Sequence, residues 1–219
     1  MMDFQFNIIQ EYLPFFFKGA LLTIGLSLIG VIMGLILGLL IGLGKMSKNK
    51  WVRFPFTVYI NCIRGTPLLV QILIIHFGIM PLFMSPVNPI ASAIVALSLN
   101  SSAYVSEIFR AGIQSIDRGQ MEAARSLGMN HVQAMRHIIL PQAFKRMIPP
   151  LGNEFIVLLK DSSLASIIAA PELMYWGQAA QGEYYRVWEP YICVAIIYLV
   201  LTLSLTYLLN YIERKLEKS

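Results

Sequence analysis

Of the chain's 219 residues, 57% are hydrophobic and only 13% charged, against roughly a quarter charged in a water-soluble domain. That balance excludes a soluble enzyme or soluble binding module and predicts one integral membrane domain over 1–219, with all-α architecture. The formal net charge of +5 then reflects membrane topology, and nucleic-acid binding is not expected.

A helical span needs about 20 mostly apolar residues, and five segments are read as spans. Residues 1–18 mix Phe, Ile and Tyr with polar side chains, which suits a lead-in lying in the headgroup layer or an extension of the first span. Segment 19–43 contains no charge and carries Gly30, Gly34, Gly38 and Gly42 at intervals of four, one helix face on which a second backbone can approach closely. Segment 54–80 is interrupted by Arg64 and Pro67. Proline removes a donor and kinks a helix, so neighbouring groups must satisfy the freed carbonyl. A charge beside such a break is a functional flag in a membrane segment.

Segment 89–109 begins apolar and then turns polar. Asn100 and Glu107 stand seven apart, on one helix face, where a protein interface or a water-filled path is expected. Segment 150–168 holds Asn153, Glu154, Lys160 and Asp161. Glu154 and Asp161 again share a face and must look toward protein, water or a ligand. Segment 188–209 is plainly apolar, and Trp176, Tyr184, Tyr185 and Trp188 ahead of it suit an interfacial aromatic belt.

Between the third and fourth spans, 114–145 interleaves charged and apolar residues and reads as a loop of two short helical runs. Glu122 sits in the first turn of one, where a carboxylate favours the helix dipole. Gly128 supplies a left-handed exit, and a second run from His131 ends at Leu140-Pro141. His131 and His137 are six apart and share no tight ligand face, so no metal site is expected. Cys62 and Cys193 read as apolar space-fillers. Lys45, Lys48, Lys50 and Arg53, six basic residues within 110–146, and Arg214, Lys215 and Lys218 make up 13 of the 17 lysines and arginines. All fall on one side. The positive-inside rule puts that side, with the C-terminus, in the cytoplasm and the N-terminus outside.

Four strings carry a resemblance: RGTPLLVQ, ALSLNSSAYVSEIFR, GQMEAARSLG with its later LPQA, and PLGNEFIVLLKDSSL. Together they resemble the permease subunits of polar amino acid ABC importers of type I, the histidine/glutamine/arginine permease family of the bacterial cytoplasmic membrane. The resemblance implies five transmembrane helices and a cytoplasmic coupling helix. It gives Glu122, Ala123, Ala124, Arg125, Ser126, Leu127, Gly128, Leu140 and Pro141 the role of docking an ATPase. The implied partners are two ABC ATPase subunits, a second permease, an extracellular solute-binding protein, the amino acid substrate and the lipid bilayer. No G-x-x-x-x-G-K-[ST] phosphate loop is present, so this chain is not an enzyme and binds no cofactor, and ATP and magnesium belong to the partner.

Arg64, Thr66, Gln71, Asn100, Glu107, Asn153, Glu154 and Asp161 are the candidate substrate path. Arg64 could hold a carboxylate, with Glu154 and Asp161 holding an amino group and a cationic side chain. That favours arginine, histidine or lysine, with glutamine, glutamate or cystine the alternative. An ion-coupled secondary transporter would use similar carboxylates but needs more spans and inverted repeats. A membrane enzyme would need a nucleophile–base pair or a metal cluster, and the sequence offers neither.

Overall fold

The structure, a computed structural model, describes residues 4–217; residues 1–3 of the lead-in and Lys218 of the basic tail lie outside them. The described chain is helical. The first helix, α1 (Phe6–Lys45), is one uninterrupted rod of 40 residues, about 60 Å at 1.5 Å per residue. The lead-in is therefore an extension of the first span. The following helices are α2 (Lys50–Arg64), α3 (Leu68–Leu73), α4 (Pro89–Gln114), α5 (Arg118–Ser126), α6 (His131–Ala134), α7 (Leu140–Asp161), α8 (Leu173–Tyr184) and α9 (Trp188–Glu217).

Among the described residues α1, α4 and α9 are long and apolar enough to cross a membrane, and a fourth crossing exists if the broken pair 50–64 and 68–82 counts as one. The two arms of that pair meet at 106°, far beyond a simple proline kink. Five uniform spans are thus not what the fold displays. Segment 150–168 divides into the charged end of α7 and a 3-10 turn, Ser162–Ile168, which Ala169 closes in the left-handed region.

The glycine seam explains how α1 and α4 pack. A Cβ on Gly34 would lie 2.7 Å from the Ser101 Cβ, one on Gly38 2.8 Å from the Val105 Cβ, and one on Gly30 3.2 Å from the Leu97 Cβ. Glycines four apart thus take side chains four apart on α4, and the helices touch backbone to backbone. Three apolar clusters run along the bundle. Phe16, Leu173 and Val194 centre one, Leu26, Ile72, Leu97 and Leu158 the next, and Phe109, Ile139 and Met147 the third.

Helix α8 lies in the connection between the expected fourth and fifth spans, where the sequence reading had only a loop. Its cap is Glu172, whose carboxylate accepts from the Met174 and Tyr175 backbone N–H groups, both at 2.8 Å, and from the Tyr198 hydroxyl at 2.9 Å. Burial still pushes this carboxyl up to about 7, against the pull of those donors. Within the expected belt, Tyr185 and Trp188 are exposed. Trp176 instead packs on Phe15, and the Tyr184 hydroxyl donates to Glu11.

Candidate functional site

Two regions collect the residues singled out in the sequence. The first is the hairpin between α4 and α7. Helix α5 begins at Arg118, four residues before Glu122, because Asp117 caps it by accepting from the Gly119 N–H at 2.6 Å. Glu122 is therefore mid-helix and not a first-turn residue. Gly128, at φ +85, makes the expected left-handed exit. Ala123, Arg125, Ser126 and Leu127 are exposed, whereas Ala124 is 4% exposed and packed inward. Adjacent helical residues point about 100° apart, so one alanine is on the free face and the other on the packed one.

The second run does not end at Leu140-Pro141. From α6 it passes through a π-turn, Met135–Ile139, straight into α7, with Pro141 in that helix's first turn. The wider π-turn ahead of it accommodates the missing N–H, so the chain stays helical from the hairpin to Asp161, with Pro149 and Pro150 inside α7. Val132, which the sequence reading left unmarked, is 72% exposed, and Leu127 is 82% exposed. These two apolar side chains protrude on either side of the Gly128 turn, and an exposed apolar residue flanking a tight turn was the signal available.

The second region is a pair of adjoining cavities along α4 and α7. One, of about 520 Å³, is lined by Arg64, Tyr104, Glu107, Arg146, Asn153 and Glu154 among others. The other, of about 380 Å³, is lined by Thr66, Pro67, Asn100, Tyr104, Glu154, Asp161 and neighbouring apolar side chains. Tyr104 and Glu154 belong to both walls. The stripes read on the third and fourth spans thus meet, and the carboxylates of Glu154 and Asp161 line the smaller cavity, whose lining contains no lysine or arginine.

Gln71 is not on either wall. Its amide nitrogen donates to the Ile63 carbonyl at 2.7 Å and to Thr66 oxygens at 3.0 Å, while its oxygen accepts from the Asn100 amide at 3.0 Å. In a continuous helix the Ile63 carbonyl would take the N–H of residue 67, which proline lacks. Gln71 supplies the substitute donor, so its role is to hold the break. Asn100 both lines the cavity and anchors Gln71.

Glu107 lines the larger cavity and is also tied into ion pairs. It pairs with Lys45, with Arg110 at 2.7 Å and, more loosely, with Arg64 at 3.9 Å. Arg64 itself lies 5.1 Å from the centre of the Tyr104 ring, a cation–π distance. Tyr104 was therefore undervalued by sequence reasoning: only the fold brings it between the two cavities. Among the described residues no His, Cys, Asp and Glu cluster could hold a metal ion.

Residues 30–218 match the family described as the binding-protein-dependent transport system inner membrane component. The arginine transport system permease protein ArtQ of Bacillus subtilis is 39% identical over 218 residues, covering 100% of each chain. The L-cystine transport system permease protein TcyB of the same organism is 43% identical, covering 95% of this chain and 89% of its own. The glutamine transport system permease protein GlnP of Escherichia coli is 36% identical over 99% of each. Among solved structures, one described as an amino acid ABC transporter with histidines superposes with a TM-score of 0.92 at 47% identity, over 98% of this chain and 100% of that one.

Proposed function

The chain belongs to the family of binding-protein-dependent transport system inner membrane components, and on that premise we propose that it is the permease half-pore of an ATP-driven importer of basic amino acids. In this reading five segments cross the membrane, with 54–80 entering as a broken pair and 140–161 crossing with its charges turned to the path. The N-terminus is outside, and the basic loops and C-terminus face the cytoplasm. Two ATPase subunits dock on the α5 hairpin, a second permease faces the open side of the cavities, and a solute-binding protein delivers substrate from outside.

The observation that carries the substrate class is the smaller cavity. Two carboxylates on its wall, with Arg64 acting on Glu154 and Lys160 on Asp161 only from beyond that wall, favour a ligand that brings positive charge of its own. Its volume is within the usual range for small-molecule sites. Arg64, at the neighbouring wall, is placed to hold the ligand's carboxylate. The relatives named above include carriers of arginine, cystine and glutamine, so family membership leaves the class open, and the two carboxylates are what supports the basic class.

Coupling follows from the uninterrupted path from hairpin to cavity. A push on the exposed face of α5 is passed through α6 and the π-turn into α7, which carries Glu154 and Asp161. Access alternates because each state of the pore binds substrate differently. Uptake of radiolabelled arginine into proteoliposomes holding the full transporter, competed with lysine, histidine, glutamine and cystine, tests the substrate. Competition by lysine and histidine, with uptake impaired by Glu154→Gln and Asp161→Asn, is the expected result. Wild-type arginine uptake in both variants would overturn the assignment.

A further inference from the structure

At the end of the bundle where α1 and α4 finish and α2 begins, a third cavity of about 610 Å³ is lined by Lys45, Met46, Arg53, Thr57, Arg110 and Gln114. Three of its six lining residues are cations, and none is acidic. Two of these cations, Lys45 and Arg110, already pair with Glu107. The group of Lys45, Arg53, Arg110 and Glu107 therefore keeps an excess of positive charge. Arg53 forms no side-chain ion pair or hydrogen bond among those described. On the same wall the Thr57 hydroxyl donates to the Arg53 carbonyl at 3.0 Å and the Gln114 oxygen accepts from Arg110 at 2.6 Å, so the amide N–H groups of Gln114 are the neutral donors facing the cavity.

We infer that this cavity binds the phosphate of an anionic phospholipid from the cytoplasmic leaflet. Basic pockets between helices at that membrane face suit such headgroups. Two details favour a lipid over a free anion. The site lies where three helices reach the end of their apolar stretch, and Trp51 and Phe54, flanking Arg53, are exposed at 88% and 67%. A headgroup can be held by the cations while its acyl chains lie along those aromatic side chains. The leaflet assignment rests on the topology proposed above; the chemistry of the pocket does not.

The site also has a route to the transport path. Lys45 and Arg110 are shared between this cavity and Glu107, and Glu107 reaches Arg64 on the wall of the larger cavity. A phosphate that draws Lys45 and Arg110 toward itself frees Glu107 to hold Arg64 more tightly. Membrane charge is thereby linked to the position of a path residue.

The test uses the purified transporter in mild detergent, with brominated phosphatidylglycerol or brominated phosphatidylcholine as quencher of tryptophan fluorescence, so no membrane orientation is assumed. Each basic residue near such a headgroup contributes about fivefold in affinity, so Arg53→Gln should weaken phosphatidylglycerol binding by that factor and leave phosphatidylcholine binding unchanged, with Arg53→Lys restoring most of it. Equal binding of the two lipids, or no effect of Arg53→Gln, overturns the inference. Displacement of phosphatidylglycerol by millimolar inorganic phosphate would mark a free-anion site and also overturn it. So would loss of ATPase co-purification in Arg53→Gln with lipid binding intact, which would make the cavity a protein-docking surface. If lipid binding behaves as expected but an impermeant thiol reagent reaches Arg53→Cys from outside the cell, the site stands and the topology falls.

Discussion

Replacing Gln71 with leucine keeps the side chain's approximate volume and removes the groups that hold the 106° break together. Three partners are left behind: the Ile63 carbonyl, the Thr66 oxygens and the buried Asn100 amide, now at 2.7, 3.0 and 3.0 Å from Gln71. A net hydrogen bond is worth about 1 kcal/mol and a stranded buried polar group costs about 1–3 kcal/mol. The half-exposed carbonyls fall at the lower end, giving about 2–4 kcal/mol in all. For a chain of this size that corresponds to a fall in Tm of roughly 4–16 °C. Asn100→Ala breaks only the last bond and should lower Tm by less. Gln71→Glu offers carbonyls a carboxylate in place of a donor and should be at least as damaging as leucine. Thermal unfolding of the purified transporter, followed by intrinsic fluorescence, measures all three. A Tm for Gln71→Leu within about 1 °C of wild type would refute the assignment of Gln71 as the substitute donor.

Other consequences follow from the same geometry. Gly38→Leu must force α1 and α4 apart, since even a Cβ would stand 2.7 Å from Val105 Cγ1, and should abolish folded expression. Gly25→Leu, with nothing within 4 Å of its Cβ position, should express normally. Glu107→Gln leaves Lys45, Arg110 and Arg64 without their common counterion and should lower stability by about 1.5–3 kcal/mol, read from thermal unfolding. Gly128→Val puts a β-branched residue at φ +85 and should reduce substrate-stimulated ATPase activity more than ATPase binding, because the cost of about 1–2 kcal/mol falls on the turn itself. Glu172 has a folded-state value raised to about 7, so the folded state holds its proton more tightly than the unfolded one. Its contribution to stability is full at low pH and is lost as pH rises toward 7. Glu172→Gln should flatten that part of the Tm-against-pH profile.

Periodicity made much of this legible. Four glycines at intervals of four announced the α1–α4 seam, and the seven-residue spacings of Asn100–Glu107 and Glu154–Asp161 announced the faces that line the cavities. What the sequence could not show was which polar residue braces the fold and which lines a cavity. Gln71, Asn100 and Glu154 look alike as polar insertions in apolar text. Only the fold shows that Gln71 turns inward to Ile63, that Asn100 both holds Gln71 and lines a cavity, and that Glu154 belongs to two cavities. Tyr104 was not singled out as a site residue, because an aromatic in a membrane helix is ordinary until Arg64 is found stacked on it. The hairpin boundaries shifted for local reasons: Asp117 began the helix early, and a π-turn let the chain run past Pro141. The 106° bend needed tertiary contacts, for a proline fixes where a helix yields but not how far.

The central claim, that the exposed side of α5 receives the movement of a nucleotide-hydrolysing partner, is tested most directly by crosslinking at two adjacent alanines. With cysteine introduced at Ala123 or at Ala124 in the assembled transporter, the account predicts a crosslink to the ATPase from the exposed position 123, with a yield that changes on adding ATP, and almost none from the buried position 124. Equal capture from both positions, no capture from 123, or labelling of 123 by an impermeant reagent from outside the cell would contradict it.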